Sequence, residues 1–198
     1  MPNCFTLSIH NENAIMKRIS FVCLFLTLTL ARLSAQSPLP LDPDTKKITF
    51  SAVVNVGSTQ KSELAKRAQD WGAKTKYLVP KAQAPGQYKC KGTLMVQYPS
   101  IAPGKTDKGT VTFFTTLYLK DGKYKYVMTD FVHQDVLGRG DGGKLENETP
   151  ECGKFIMSTT SWNKIKDQTQ SEMEKVIASL KADMEKKPAP IKKKPSNF

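Results

Sequence analysis

Two alternating segments that flank Asp121-Gly122 constrain this chain more than any other feature of its sequence. Apolar and polar residues alternate over 112–131, which is the pattern of strands with one buried face. Asp-Gly between two such segments favours a two-residue type I′ turn, and this turn joins antiparallel neighbours. It places Leu119 opposite Tyr124. The sequence therefore predicts a long β-hairpin at the centre of the fold.

Further elements are predicted on both sides of this hairpin. Apolar residues alternate over 48–56 and 88–98, and 77–79 is a short apolar segment, so all three are predicted strands. Apolar residues at helical spacing predict one helix from a cap at 57–59 to Gly72, and a second helix over 161–187. The order is β-α-β-β-β-β-α. We predict an α+β fold in which the two helices cover one face of a mainly antiparallel sheet.

The beginning of the chain has the three parts of a secretory signal peptide. Met16-Lys17-Arg18 is basic, and 19–30 is an apolar run that is shorter than the roughly 20 residues of a membrane-spanning helix. Ala35 offers a small residue before Gln36. We predict that translation starts at Met16, that residues 1–35 are the leader, and that the product is periplasmic or secreted and does not span a membrane.

The remaining ends of the chain are predicted to lack a fold of their own. Three prolines in 36–45 predict an extended linker ahead of an α+β domain over 46–187. Residues 188–198 form a disordered Lys/Pro tail that is too polar to pack. The net charge is +12, but the leader and the lysine-rich end carry more than half of it. The domain itself is therefore only mildly basic.

Motifs of common enzyme chemistry are absent from the sequence. It contains no Gly-x-Ser-x-Gly, no His-Glu-x-x-His, no phosphate loop and no Cys-x-x-Cys. His133 is the one histidine after the leader, and with Asp135 or Cys152 it could form a nucleophilic site. A histidine at a strand end is more often polar surface. We predict a non-catalytic domain with no cofactor or metal, and we keep a hydrolase built on His133 as an alternative.

The outward face of the predicted sheet interleaves apolar and cationic side chains. Aromatic and basic residues on an open sheet resemble a platform for single-stranded nucleic acid. Export argues against nucleic acid, so the expected partner is a protein or an envelope component. One alternative is that a loop or the C-terminal segment covers this face. Another is a small apolar ligand carried between the sheet and the C-terminal helix. The candidate binding residues are Lys89, Lys91, Met95, Phe114, Tyr118, Lys125, Val127 and Phe131.

Cys90 and Cys152 are the two cysteines that remain after the predicted cleavage. An even number of cysteines in an oxidising compartment favours a disulfide. A bridge between these two would tie the glycine-rich loop 134–153 to the sheet. The alternative is that Cys90 is a buried free thiol, which packs as a small apolar residue, and that Cys152 is unrelated to it.

Three stretches of the chain resemble a known family. These are Glu63–Trp71 on the first helix, Lys120–Tyr126 with the following Thr129-Asp130 at the hairpin, and Ile177–Lys181 on the last helix. They are similar to exported Gram-negative bacterial domains of unknown function with a TATA-binding-protein-like (TBP-like) fold, over roughly 40–187. The resemblance implies a curved sheet with helices on one side and an extracytoplasmic location. It transfers no active site, and the name of the fold does not imply DNA binding.

Overall fold

The structure of this protein is a computed structural model that describes residues 39–75, 78–81 and 84–186. The predicted leader and the predicted tail lie outside the described residues. The elements are strand β1 (Phe50–Asn55), helix α1 (Lys61–Lys74), strands β2 (Leu78–Pro80), β3 (Gln87–Pro99), β4 (Thr106–Lys120), β5 (Lys123–Asp135) and β6 (Gly143–Lys144), and helix α2 (Thr159–Met184).

One antiparallel sheet contains all six strands. Its order is β1-β5-β4-β3-β2, and the two-residue strand β6 pairs with β5 beyond the end of β1. Both helices pack on one face of this sheet and on each other. The predicted α+β class, the antiparallel pairing and the order of the main elements are therefore confirmed, with β6 as an addition that the sequence analysis missed.

The β4–β5 hairpin has the predicted register but a different turn. Leu119 lies opposite Tyr124, as expected. Gly122 has a φ of 73°, whereas Asp121 does not have a positive φ, so the prediction of a type I′ turn is wrong because that turn requires both. The Asp121 carboxylate instead accepts a hydrogen bond from the Lys61 N–H at 2.6 Å. It satisfies a free N–H of the first turn of α1 and ties the hairpin to the helix.

A β-bulge interrupts the pairing of β4 with β5. The register passes from Phe114 opposite Thr129 to Thr112 opposite Val132. Two residues of β5 therefore lie where β4 has one. The first of them, Asp130, has a φ of 60°, a left-handed conformation that Asp tolerates better than most residues. The bulge reverses which side chains of β5 point inward from there to the end of the strand.

Phe131 is buried as a consequence, so its predicted place on the outward face is wrong. Its side chain is 0% exposed. Its ring stacks on Phe113 with centroids 5.5 Å apart and meets the Phe50 ring edge-on at 5.7 Å. Strict alternation through the strand could not have revealed this, because the inserted residue is Asp130 rather than the glycine that often marks a bulge.

Helix α1 lies close to the sheet because of one glycine. The helix begins at Lys61 after Gln60, whose side chain makes no capping bond, rather than at the predicted cap over 57–59. Gly72 lies within the helix instead of ending it, and a Cβ at this position would overlap the hydroxyl of Tyr88. Glycine therefore permits the close approach of α1 to β3.

Helix α2 supplies the longest buried stripe of the core. Ser158 caps it, because its hydroxyl accepts the Ser161 N–H at 3.1 Å. The helical spacing of apolar residues that the sequence predicts over 161–187 is confirmed as one buried stripe, with Ile177 partly buried at its margin. Its buried members are Trp162, Ile165, Thr169, Met173, Val176, Leu180 and Met184.

The described part of the predicted linker has structure. Leu41 pairs with Ile48 in an isolated antiparallel bridge. Between them, the Asp42 carboxylate accepts the Thr45 N–H at 2.8 Å. The Ile48 N–H donates to Glu146 at 2.9 Å. The prolines therefore exclude a helix here, but they do not prevent a hydrogen-bonded turn that leads into β1.

Candidate binding face

None of the described helices covers the sheet face that points away from α1 and α2. In every strand, side chains buried in the core alternate with side chains that point to this face. We call it the outer face. It consists of Ser51, Val53, Asn55, Val79, Gln87, Lys89, Lys91, Thr93, Met95, Gln97, Lys108, Thr110, Thr112, Phe114, Thr116, Tyr118, Lys120, Lys123, Lys125, Val127 and Thr129, continued past the bulge by Val132, Gln134 and Lys144.

The structure brings all but one of the predicted binding residues together on the outer face. Phe131 is the exception, for the reason given above. The residues that the outer face contains are Lys89, Lys91, Met95, Phe114, Tyr118, Lys125 and Val127.

Large apolar side chains of the outer face are exposed to solvent. Met95 is 62% exposed, Phe114 44% and Tyr118 43%. Val53 at 61% and Val79 at 59% belong to the same surface, and the sequence analysis missed both. The alternation over 48–56 could have identified Val53, because it predicts that the odd-numbered residues of β1 point to the face away from the core. Several large exposed apolar side chains on one surface are typical of interaction sites.

Two rows of cross-strand neighbours have the same composition. In one, Lys91 lies between Val79 on β2 and Phe114 on β4. In the other, Lys125 lies between Val53 on β1 and Tyr118 on β4. Direct neighbours across antiparallel strands have Cβ atoms about 5 Å apart. Each row therefore presents an aliphatic side chain, a cation and an aromatic ring side by side.

His133 lies in the core, because the bulge turns its side chain inward. It is 0% exposed. Its Nδ1 accepts the Gly142 N–H at 3.1 Å, and its ring lies edge-on to Tyr98 and Trp162 with centroids 5.4 and 6.1 Å away. Burial lowers the pKa of its imidazole. The expectation of a surface histidine is wrong, and the hydrolase alternative gains no support from a ring that no substrate can reach in this conformation.

Carboxylates at the glycine-rich loop 134–153 are used in hydrogen bonds that fix the conformation of the loop. The Asp135 carboxylate accepts the Tyr98 hydroxyl at 2.9 Å and the N–H groups of Leu137 and Arg139 at 3.0 Å. Burial acts to raise the pKa of this carboxyl, but these hydrogen bonds outweigh it, and the pKa is lowered. In the part of the chain that the structure describes, no group of His, Cys, Asp or Glu is arranged to hold a metal ion.

Cys90 and Cys152 are free thiols in this structure, which contradicts the predicted disulfide. Cys90 lies opposite Thr115 of β4, whereas Cys152 lies beside Asp135, which faces Gly109 of β4. These two positions on β4 are about 20 Å apart at the rise of a strand, and a disulfide requires Cα atoms within about 7 Å. Burial raises the pKa of the Cys90 thiol to about 11, so this cysteine packs as an apolar residue.

Four grooves in the described surface lie away from the predicted carrier site between the sheet and α2. One of about 410 Å³ opens beside α1 and is lined by Gly72, Leu78 and Tyr88, and one of about 250 Å³ opens beside the bulge at Lys47 and Asp130. Neither these two grooves nor the two others, one beside the start of α1 and one beside Tyr98 and Asp135, is lined by α2. The packed contact between sheet and α2 gives no support to a ligand carried there. Over the described ranges, the structure also has no helix that could cross a membrane.

Comparison with known proteins agrees with this fold. Residues 50–134 match the family described as a domain of unknown function (DUF4468) with TBP-like fold. A crystal structure of a DUF4468 family protein from Bacteroides ovatus is similar, with a TM-score of 0.52 and 13% identity over 82% of this chain and 96% of that chain. For a TBP-like protein from Parabacteroides distasonis the TM-score is 0.48, with 16% identity over 72% of this chain and 97% of that chain. No curated protein matches this chain. The predicted resemblance is confirmed, because residues 50–134 match the family model of DUF4468 domains with TBP-like fold.

Proposed function

We propose that this protein is a non-catalytic binding domain that works outside the cytoplasm and engages a protein or envelope component through its outer face. One observation carries the proposal. Five large apolar side chains on one side of the sheet stay 43–62% exposed, whereas the other side is packed against the helices; they are Val53, Val79, Met95, Phe114 and Tyr118. The predicted leader supports the location, and N-terminal sequencing of exported material should begin at or near Gln36.

Binding of a partner explains the composition of the outer face better than catalysis does. The buried His133 and the internally bonded Asp135 do not offer an accessible acid–base pair to a substrate on the outer face. Threonines such as Thr112 and Thr116 separate the apolar side chains on β4. They offer hydroxyl groups that can hydrogen-bond a partner, as the mixed composition of transient interfaces requires.

The direct test is photo-crosslinking in the native cells. A photoreactive residue replaces Thr116 at the centre of the outer face, and a matched variant carries it at Lys164, which is exposed on α2. We expect adducts of discrete mass from position 116 and none from position 164. Equal adducts from both positions, or none from position 116, would contradict the proposal.

A further inference from the structure

The charges of the outer face are all of one sign. Seven of its side chains are lysines, namely Lys89 and Lys91 on β3, Lys108 and Lys120 on β4, Lys123 and Lys125 on β5, and Lys144 on β6. None of the residues that define the outer face is Asp or Glu. None of these lysines forms an ion pair with a described residue.

Carboxylates at the β1 edge of this face already have partners. Asp130 at the bulge is ion-paired with Lys47 at 2.6 Å, and Asp42 accepts the Thr45 N–H. Lys120 even lies directly opposite Lys123, an arrangement of like charges that costs stability. Asp42 attracts Lys125 without forming an ion pair with it. The seven lysines therefore have no ion-pair partner among the described residues, and a partner of opposite charge would supply one.

We propose that the occupant of the outer face is an acidic polypeptide segment that also carries apolar side chains. This inference rests on the proposed function and names the chemistry of the partner. A second copy of the chain would set one lysine-rich face against another. The chain's own end after Lys186 is also basic and carries no acid. Like-charge contact disfavours both as occupants.

The two equivalent rows select a polypeptide over other anions. Lys91 between Val79 and Phe114, and Lys125 between Val53 and Tyr118, combine a carboxylate-binding group with aliphatic and aromatic contacts. Bases of nucleic acid stack on aromatic rings, and the aliphatic members of the rows offer them little. A bilayer surface would meet the long lysine side chains first and would leave the shorter valines in water.

The dimensions of the face fit a short segment. Phe114 and Tyr118 are four residues apart on β4, about 13 Å at the rise of a strand. The rows run from them in opposite directions to the two edges of the sheet, β2 and β1. Five strands span about 19 Å, so with the offset of about 13 Å the far ends of the two rows lie about 23 Å apart, a distance that roughly seven extended residues would span.

The test measures binding of a random Glu/Tyr copolymer to the full 198-residue chain by fluorescence anisotropy. We expect saturable binding that weakens as salt is raised. The triple variant Lys89→Glu, Lys91→Glu, Lys125→Glu should bind at least about tenfold more weakly. The matched control, Lys66→Glu, Lys154→Glu, Lys164→Glu, reverses three exposed lysines outside the outer face and should bind as the original protein does.

A neutral triple variant, with Gln in place of Glu at positions 89, 91 and 125, repeats the test if the charge-reversed protein fails to fold. Equal loss in the outer-face and control variants would overturn the proposal, because net charge alone would then explain binding. Equal or tighter binding of an oligothymidylate or of phosphatidylglycerol vesicles would overturn the choice of a polypeptide. Absence of copolymer binding would overturn the proposal as a whole.

The crosslinking experiment separates this inference from the proposed function. Adducts at position 116 that persist in the Lys89→Glu, Lys91→Glu, Lys125→Glu background would leave the binding face in place and contradict its acidic partner. Loss of these adducts in the Lys89→Glu, Lys91→Glu, Lys125→Glu background, together with their retention in the Lys66→Glu, Lys154→Glu, Lys164→Glu control, would support both the binding face and its acidic partner. Absence of adducts in the unmodified lysine background contradicts the proposed function itself.

Discussion

The two faces of this sheet are made from the same strands and differ in almost every physical property. On β4, Phe113 and Leu117 are 0% exposed, whereas Phe114 and Tyr118 beside them are more than 40% exposed. The inner face is apolar and covered by two helices. The outer face mixes apolar side chains with lysine and threonine. Alternation along a strand thus lets one sequence specify a stabilising core on one face and an exposed surface of different composition on the other.

The bulge at Asp130 is the point where this division changes. Before it, the odd-numbered residues of β5 point outward, and after it the odd-numbered Phe131 and His133 point into the core. The outer face therefore loses an aromatic ring and the core gains one. Substitutions on the inner face should therefore change stability, and substitutions on the outer face should change binding.

The largest effect is expected at Phe131. Phe131→Ala removes a fully buried ring stacked on Phe113 and should lower the free energy of unfolding by about 3–5 kcal/mol. The matched substitution Phe114→Ala on the outer face should change it by less than about 1 kcal/mol. Urea denaturation measures both. Equal effects would show that the bulge does not divide the faces as described.

The helix that covers the inner face gives the next largest contrast. Leu180 of α2 is 0% exposed, and its neighbour Lys181 is exposed. Leu180→Ala should cost about 2–5 kcal/mol of stability, because it opens a cavity in the core. Lys181→Ala should stay within about 0.5 kcal/mol. Thermal unfolding of the two variants decides the matter, and a silent Leu180→Ala would mean that α2 does not pack as described.

Acid should lower the stability of the folded protein through protonation of His133 on the inner face. Burial holds the pKa of its imidazole below the ordinary 6.5, so the unfolded chain takes up a proton at a higher pH than the folded one. Stability is therefore complete above about 6.5 and falls as the pH drops from there to the folded pKa, by up to about 1.4 kcal/mol per pH unit.

Replacement of the imidazole isolates this contribution. The variant His133→Leu should lose stability at neutral pH but lack this component of the acid dependence. Denaturation curves between pH 7.5 and 5 compare it with the original protein. The same slope in both proteins would show that His133 does not titrate with unfolding.

The smallest effect is expected from reductant. Because Cys90 and Cys152 lie beside positions of β4 that are about 20 Å apart, we expect no bridge between them to contribute to stability. Dithiothreitol should leave the melting temperature unchanged, and both thiols should react with iodoacetamide after unfolding without prior reduction. A fall of several degrees in the melting temperature on reduction would instead support the predicted disulfide.

The sequence predicts the elements well because their signals are local. The alternation around Asp121-Gly122, the stripe from Trp162 to Met184 and the antiparallel order are all visible in periodicity. Phe131 and His133 were misplaced because a bulge at a non-glycine residue leaves no periodic trace before the register is known. The disulfide prediction failed because cysteine counting carries no distance. Val79 on the outer face became evident only when the pairing of β2 with β3 placed it beside Lys91.

The central claim is that the outer face binds and contributes little to stability, and one double variant tests it most directly. Phe114→Ser with Tyr118→Ser removes both exposed rings, and the yield of crosslinked adduct from position 116 is measured together with the free energy of unfolding. The account predicts that adducts disappear while stability changes by less than about 1 kcal/mol. An undiminished adduct yield in this folded variant would contradict it, as would a loss of several kcal/mol of stability.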